Sequence, residues 1–296
     1  MQITILGTSC AVPTKERNNS SFLLEYKGEG ILFDCSENVQ RQLRIAGVKP
    51  TKVTKILISH WHGDHVFGLP GLIYTLGMKE YSKTLRIYGP KGSKKYFANM
   101  LNSSAEEVRI KIEVKEIGEG EFYEGKWYRL EASKLEHRSP ALGFAFIEKD
   151  RRRINVRYVK KLGIPEGPLL GKLQEGKNIK FKGRTVSVKQ ATYIVKGKKI
   201  AYVADTLPCK GAYEIAKDAD LLVAAATFAS NEKDKAEKYM HLTAKESGLI
   251  ASKSNAKKLV LIHFSTRYKD TQVLEQDARD VFDNSIAAKD FMKIDV

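Results

Sequence analysis

The 296-residue sequence is short of cysteine, of acidic residues and of long apolar runs. Cys10, Cys35 and Cys209 are odd in number and unrelated in spacing. That argues against a disulfide framework and fits free thiols in a reducing cytoplasm. No stretch approaches the ~18 consecutive apolar residues of a membrane span, and the mean hydropathy is −0.36. The chain opens on an apolar segment, Gln2–Leu6, without the charged, apolar and cleavage regions of a secretory leader. A cytoplasmic protein with no membrane partner is expected. Linkers rich in Pro or Ser and short-period repeats are also missing, so 1–296 is read as one layered domain. The acidic deficit is marked: 35 Asp plus Glu stand against 51 Lys plus Arg, a net charge of +16. Such a balance favours a polyanionic partner, whose condensed counterions are released on binding. Charge alone does not separate RNA from DNA or from an acidic membrane surface.

What is present is enough apolar material, 42% of residues, for a sizeable core. Short apolar runs bounded by turn residues predict strands at Ile3–Leu6, Phe22–Tyr26, Ile31–Phe33, Ile56–Ile58, Leu85–Tyr88, Arg109–Val114 and Tyr128–Ala132. Helical spacing predicts Asn38–Ala46, stopped by Gly47, and Leu69–Leu76. The second half alternates: strand Lys199–Ala204, helix Ala212–Lys217, strand Leu221–Ala225, helix Ala244–Ser252, strand Leu259–Ile262. Two β-rich halves with helices outside predict an α/β (α+β) fold, two sheets packed face to face between helical layers.

The densest chemistry lies in ILISHWHGDHVFGLPG, Ile56–Gly71. A buried strand leads directly into His60, His62, Asp64 and His65. Imidazoles and a carboxylate crowded into one small volume are costly unless a cation compensates. Nitrogen and oxygen donors suit zinc, manganese or iron(II) rather than calcium. One loop cannot close a two-metal site, which needs donors from elsewhere. His137 in HRSPALGF, Asp205 in ADTLPC and His263 in HFSTRY each follow an apolar strand, at a rim where loops gather ligands. Five of the six histidines thus fall at candidate ligand positions.

HWHGDH resembles the signature of the metallo-β-lactamase superfamily, and the flanking motifs resemble its transfer-RNA 3′-processing branch, ribonuclease Z. HRSPALGF is close to that branch's His-x-x-Pro-x-x-Gly-Tyr with Phe144 for Tyr, and HFSTRY matches its His-Phe-Ser-x-Arg-Tyr. Pro13-Thr14-Lys15-Glu16-Arg17-Asn18 matches its Pro-x-Lys-x-Arg-Asn at every fixed position. The resemblance implies a four-layer αββα sandwich with two zinc ions per subunit, manganese or iron being possible. His60, His62 and His137 would hold one ion, Asp64, His65 and His263 the other, with Asp205 bridging. It further implies that Asp64 also takes the proton of the attacking water.

The sixth histidine, His241, precedes Thr243-x-x-Glu246, which reads as a capping box. A capping loop with an exposed histidine explains that much. The resemblance makes His241 the acid that protonates the leaving 3′ oxygen. In the branch a Glu assists this histidine, but the chain reads Ala224-Ala225-Ala226-Thr227 there, so Ala225 stands in its place.

Lys149–Gly176 breaks the strand–helix rhythm with dense positive charge followed by GIPEGPLLGKL. Charge and turn residues make it a poor core element and fit a solvated surface excursion. In ribonuclease Z a projecting arm with a Gly-Pro motif binds the transfer-RNA body at this place in the chain. By that likeness 149–176 is an inserted basic arm, with Arg151, Arg152, Arg153, Gly167 and Pro168 among its substrate contacts. Pro13, Lys15, Arg17 and Asn18 would bind the acceptor-stem end.

The resemblance implies a zinc-dependent endoribonuclease that removes 3′ trailers from precursor transfer RNA, leaves a 3′-hydroxyl and acts as a homodimer. Two other readings stay open. One is a phosphodiesterase or arylsulfatase-like hydrolase of the same superfamily. The other, suggested by Ala225, is a metal-containing RNA-binding protein with weakened catalysis.

Overall fold

The computed structural model describes residues 1–103, 105 and 107–296. The strands of the first stretch are β1 (Gln2–Gly7), β2 (Ser21–Tyr26), β3 (Glu29–Phe33), β4 (Val53–Leu57), β5 (Thr84–Gly89) and β6 (Lys111–Glu116). Then come β7 (Gly120–Glu124), β8 (Tyr128–Leu135) and β9 (Ala141–Glu148). Four short strands follow: β10 (Arg151–Ile154), β11 (Ile179–Phe181), β12 (Arg184–Val186) and β13 (Thr192–Val195). The chain closes with β14 (Lys199–Val203), β15 (Leu221–Ala225), β16 (Leu259–Ile262), β17 (Ser285–Ala287) and β18 (Lys293–Asp295).

Two seven-stranded sheets result, β18-β1-β2-β3-β4-β5-β6 and β17-β16-β15-β14-β9-β8-β7. The first begins as antiparallel hairpins and turns parallel from β3 to β6. In the second, β14 to β17 are parallel. LLVAA and LVLI, the sequences of β15 and β16, are buried at every residue. Parallel strands covered on both faces read as such continuous apolar runs.

The sheets face each other through aromatic rings. Phe33 of β3 stacks on Phe22 of β2 at 4.4 Å and meets Phe144 of β9 and Tyr202 of β14 edge-on, at 6.5 and 5.9 Å. Edge-to-face pairs align a ring's positive rim with a negative face. Outside the first sheet, Val39, Leu43, Leu69, Leu72 and Leu76 of helices Val39–Ile45 and Leu69–Gly77 pack in one core with Leu6, Leu32, Ile56 and Leu85. Outside the second, Lys210–Ala216, Ala244–Lys253 and Gln272–Arg279 lie against β14 to β17. The architecture is an α–β sandwich.

Close backbone approach requires glycine at two places near the site. A Cβ on Gly7, at the end of β1, would sit 1.9 Å from the Asn19 carbonyl oxygen, and one on Gly68 would sit 2.0 Å from that of Ser36. Gly68 thereby lets the HWHGDH stretch press against the chain leaving β3, where its amide donates to the Cys35 carbonyl.

The chain divides into two compact units. The sandwich comprises Met1–Glu124, Leu130–Phe146 and Lys199–Val296; the second unit comprises Gly125–Arg129 and Ile147–Lys198. The expectation that Lys149–Gly176 makes a poor core element is corrected here. Val159, Ile164 and Leu173 are buried with Ile179, Val186, Val188 and Ala191 in a separate small core. Lys160 and Lys161 fall between Val159 and Ile164, and Lys172 precedes Leu173, so charge density concealed these isolated buried positions. The unit also carries the paired ribbons β10–β13 and β11–β12.

Candidate metal centre

The site grows from the carboxyl ends of strands. Asp34 follows β3, Ser59 to His65 follow β4, His137 follows β8, Asp205 follows β14, Thr227 follows β15 and His263 follows β16. Parallel strands end on a common rim, so residues scattered over more than two hundred positions meet there.

Three donor sets form, the ligand atoms within each lying within 4.8 Å of one another: His60, His62, His137 and Asp205; Asp64, His65 and His263; and Asp205, His241 and His263. Asp205 Oδ2 stands 3.6 Å from His60 Nε2, 3.5 Å from His65 Nε2 and 3.6 Å from His241 Nδ1. Its Oδ1 is 3.0 Å from His263 Nδ1. One carboxylate therefore faces both sides of the centre.

Hydrogen bonds behind the rings fix where the lone pairs point. His137 Nδ1 faces the Met240 carbonyl at 2.9 Å. A carbonyl only accepts, so Nδ1 carries the proton and Nε2 offers a lone pair toward His62. His65 Nδ1 donates to Asp34 Oδ2 at 2.8 Å, which turns its Nε2 toward Asp64 and Asp205. Ser59 Oγ gives its proton to the same Asp34 oxygen at 2.9 Å and so accepts from His60 Nδ1 at 3.1 Å. His60 Nε2 then presents a lone pair 3.0 Å from His62 Nδ1. Tyr202 donates its hydroxyl to Asp34 as well, at 2.7 Å. Thr227 Oγ1 stands 3.1 Å from His263 Nδ1.

Titration follows from burial and charge. Burial, reinforced by His65, holds His60 well below the usual histidine range; burial also lowers His62 and takes His137 down to about 4. Burial would lower His65 and His263 too, but Asp64 and Asp34 outweigh it for the first and Asp205 for the second, leaving both raised. Asp205 and Asp64 are depressed. Burial alone would raise them, and His263 with His241, or His65 with His263, overcomes it.

The residues fit a divalent metal. His65 Nε2, His241 Nδ1 and His263 Nε2 are buried with no hydrogen-bond partner among the described residues. Ring nitrogens and carboxylates packed this closely need a cation among them, which protons on His65 and His263 supply in part and a divalent metal would replace, and nitrogen with carboxylate oxygen is a zinc-type donor set.

His241 is only partly exposed and follows Met240, whose left-handed backbone ends helix Lys233–Tyr239. Its ring meets those of Phe228, His137 and His263. The capping box of Thr243 and Glu246 is present. Ala225 is buried, so its position supplies no carboxylate; Asp205 is the acidic group that His241 faces.

In the N-terminal loop, the Ala11 amide donates to Asp64 Oδ2 at 2.8 Å. Lys15 is exposed and Pro13 half-buried, whereas Asn18 spends its side-chain amide on the Glu37 carbonyl at 2.7 Å. Arg17 is half-buried with Nη2 3.5 Å from the Ser265 carbonyl. Arg151, Arg152, Arg153, Gly167 and Pro168 lie in the second unit. Arg151 pairs with Glu148, and Arg152 donates to Thr192.

Sequence reasoning assigned no role to Asp34, Ser59, Tyr202, Thr227 or Met240. The signal available for Asp34 and Ser59 was their place directly after buried strands; a carbonyl such as that of Met240 leaves none.

Known proteins are similar to this chain to differing degrees. Residues 1–150 match the family model described as Anti-Pycsar protein Apyc1. Ribonuclease Z of Methanothermobacter thermautotrophicus is 37% identical over 297 residues, covering 100% of this chain and 97% of that protein. Ribonuclease Z of Archaeoglobus fulgidus is 39% identical over 304 residues, covering 100% and 97%. Among solved structures, the short form of human tRNase Z superposes with a TM-score of 0.73 at 28% identity, covering 100% of this chain and 99% of that one. The metallo-β-lactamase fold protein YhfI from Bacillus subtilis, at 17% identity and a TM-score of 0.72, shares the fold. With relatives this similar over their full length, and with its donor residues gathered on the rim of that fold, the chain belongs to the ribonuclease Z family.

Proposed function

We propose that this protein is a metal-dependent endoribonuclease that cuts the 3′ trailer from precursor transfer RNA and leaves a 3′-hydroxyl. The observation that carries the reading is the convergence of His60, His62, Asp64, His65, His137, Asp205 and His263 into neighbouring donor sets, with the Asp205 carboxylate 3.6 Å from His60, 3.5 Å from His65 and 3.0 Å from His263. Family membership and the net charge of +16 supply the substrate class.

By the family resemblance His60, His62 and His137 would hold one zinc ion and Asp64, His65 and His263 a second, with Asp205 available to both; manganese or iron could replace zinc. Metals held there would supply an activated water at neutral pH and would offset charge on the phosphoryl oxygens. The chain does the rest. Asp64, depressed by His65 and His263, is ionised and accepts the water proton, while the Ala11 amide fixes one of its oxygens. His241, across the centre beside Asp205, donates a proton to the leaving 3′ oxygen. Pro13, Lys15, Arg17 and Asn18 seat the acceptor-stem end, next to the loop that touches Asp64. The basic segment 149–176 is an arm that grips the transfer-RNA body through Arg151, Arg152, Arg153 and the Gly167-Pro168 turn. By the family resemblance the enzyme is a homodimer in which one subunit's arm serves the other's centre. Three free cysteines suit a cytoplasmic enzyme. Among the described residues no helix is long and apolar enough to cross a membrane.

Incubating a trailer-bearing precursor with protein and zinc tests this. One cut near the discriminator nucleotide is expected, abolished in Asp64→Ala. Absence of cleavage by the wild type, or an undiminished cut by the variant, overturns the reading.

A further inference from the structure

A second polar cavity lies in the sandwich beside the metal centre, with a volume of about 680 Å³. Its walls come from three loops: Thr14–Arg17, Thr266–Thr271 and Ala288–Phe291. Thr266 is three residues beyond His263, so their Cα atoms lie within ~11 Å of each other. From the other side, Thr8 lines the cavity, and the chain continues to Ala11, whose amide holds Asp64.

The cavity has three cations, Arg17, Lys269 and Lys289, and three carboxylates, Glu16, Asp270 and Asp290. The carboxylates are engaged by the protein. Asp290 accepts from the Thr8 hydroxyl and the Asn18 amide, both at 2.8 Å; Asp270 accepts from the Gln272 amide at 3.0 Å; Glu16 accepts from the Thr14 hydroxyl at 3.2 Å. The cations are not engaged in the same way. Among the described residues the side-chain ammonium groups of Lys269 and Lys289 make no hydrogen bond or ion pair, and both residues are exposed. Arg17 Nη1 is buried without an acceptor. A buried guanidinium nitrogen without an acceptor carries a desolvation cost that a phosphate oxygen would offset, and Arg binds phosphate through paired N–H groups.

Resting on the endonuclease reading above, we propose that this cavity is a subsite for the phosphate of a single-stranded trailer nucleotide just beyond the scissile bond. Lys269 and Lys289 provide a charged wall opposite Arg17. A recess of this size among loops takes one flexible nucleotide strand and has no room for an RNA duplex, and the trailer is the single-stranded portion of the precursor. The cavity thus adds Lys269 and Lys289 to the groups expected to bind RNA from the N-terminal loop.

The test compares KM for two precursors, with one-nucleotide and six-nucleotide trailers, in the zinc-loaded enzyme. Lys269→Ala/Lys289→Ala is expected to raise KM several-fold more for the long trailer than for the short one. Lys49→Ala/Lys253→Ala, which removes the same charge from the side of the sandwich where β4 and β16 begin, away from the rim of the metal centre, should leave the ratio of the two KM values unaltered. A labelled single-stranded RNA hexamer, followed by fluorescence anisotropy, gives a readout independent of cleavage. Its affinity should fall in the pocket variant, and the dependence on salt should become shallower by roughly 0.7 for each phosphate that is no longer neutralised. An unaltered KM ratio in the pocket variant, or the same change in the remote one, overturns the subsite while leaving the endonuclease reading intact. Failure of the wild type to cut either precursor overturns both.

Discussion

The carboxylate of Asp34 and the imidazole of His65, 2.8 Å apart, set the protonation of the metal centre from behind. The same Asp34 oxygen accepts from Ser59, which in turn accepts from His60, so one buried anion orients a histidine in each of two donor sets. Replacing it by an amide puts N–H groups where only an acceptor suits both chains. Asp34→Asn is expected to weaken metal binding by about 10–100-fold, the usual cost of losing an orienting partner. Titrating metal into the stripped variant, with circular dichroism to confirm the fold, measures this.

Asp205 is shared between donor sets, whereas His62 belongs to one. If two ions are held as proposed, Asp205→Ala should lose more bound metal than His62→Ala, with both ions affected. Elemental analysis of the two purified variants reads the difference. Equal losses would show that the carboxylate does not bridge.

His241 lies in a donor set with Asp205 and His263, yet the proposed mechanism uses it as an acid. If it gives a proton to the leaving oxygen, His241→Ala lowers kcat by about 10²–10⁴-fold and keeps its metal content. A fall in metal content alongside kcat would instead make it a ligand. Single-turnover cleavage with elemental analysis separates the two.

Phe33 joins the sheets, stacked on Phe22 and edge-on to Phe144 and Tyr202. It is completely buried. Phe33→Ala leaves a cavity among rings held by two sheets that cannot collapse around it, at a cost of about 3–5 kcal/mol. Urea unfolding of the two proteins tests this, with an unaltered slope expected.

Burial raises the pKa of Asp290 above its ordinary value, against the bonds from Asn18 and Thr8. A carboxyl raised in the folded state binds its proton more tightly there than in the unfolded chain. Its contribution is fully present below the unfolded value near 3.8 and is lost as pH rises through the folded value. Asp290→Asn does not titrate, so its stability relative to wild type should improve as pH climbs from about 3.5 towards neutrality. Denaturation midpoints across that range are the measurement, and a difference that stays flat with pH would contradict it.

The HWHGDH stretch, the strands leading to His137, Asp205 and His263, and most sandwich strands were legible because period, burial and ligand chemistry are local properties. Boundaries slipped by a residue or two: Arg109–Val114 was expected where β6 is Lys111–Glu116. Ala141–Glu148 went unread, although it supplies Phe144 and Phe146 to the facing sheets. In the basic segment, charge masked Val159, Ile164 and Leu173, whose burial depends on β11 and β12 further along.

By itself the sequence determined the donor types, the strands that carry them and a charge suited to RNA, because each is written in neighbouring residues. Only the tertiary structure decided that Asp205 stands among His60, His65, His241 and His263, and that Asp34, Ser59 and the Met240 carbonyl aim the rings. Lone-pair direction is set by partners far away in the chain, and no local pattern encodes a hydrogen bond across 103 residues such as that from His137 to Met240.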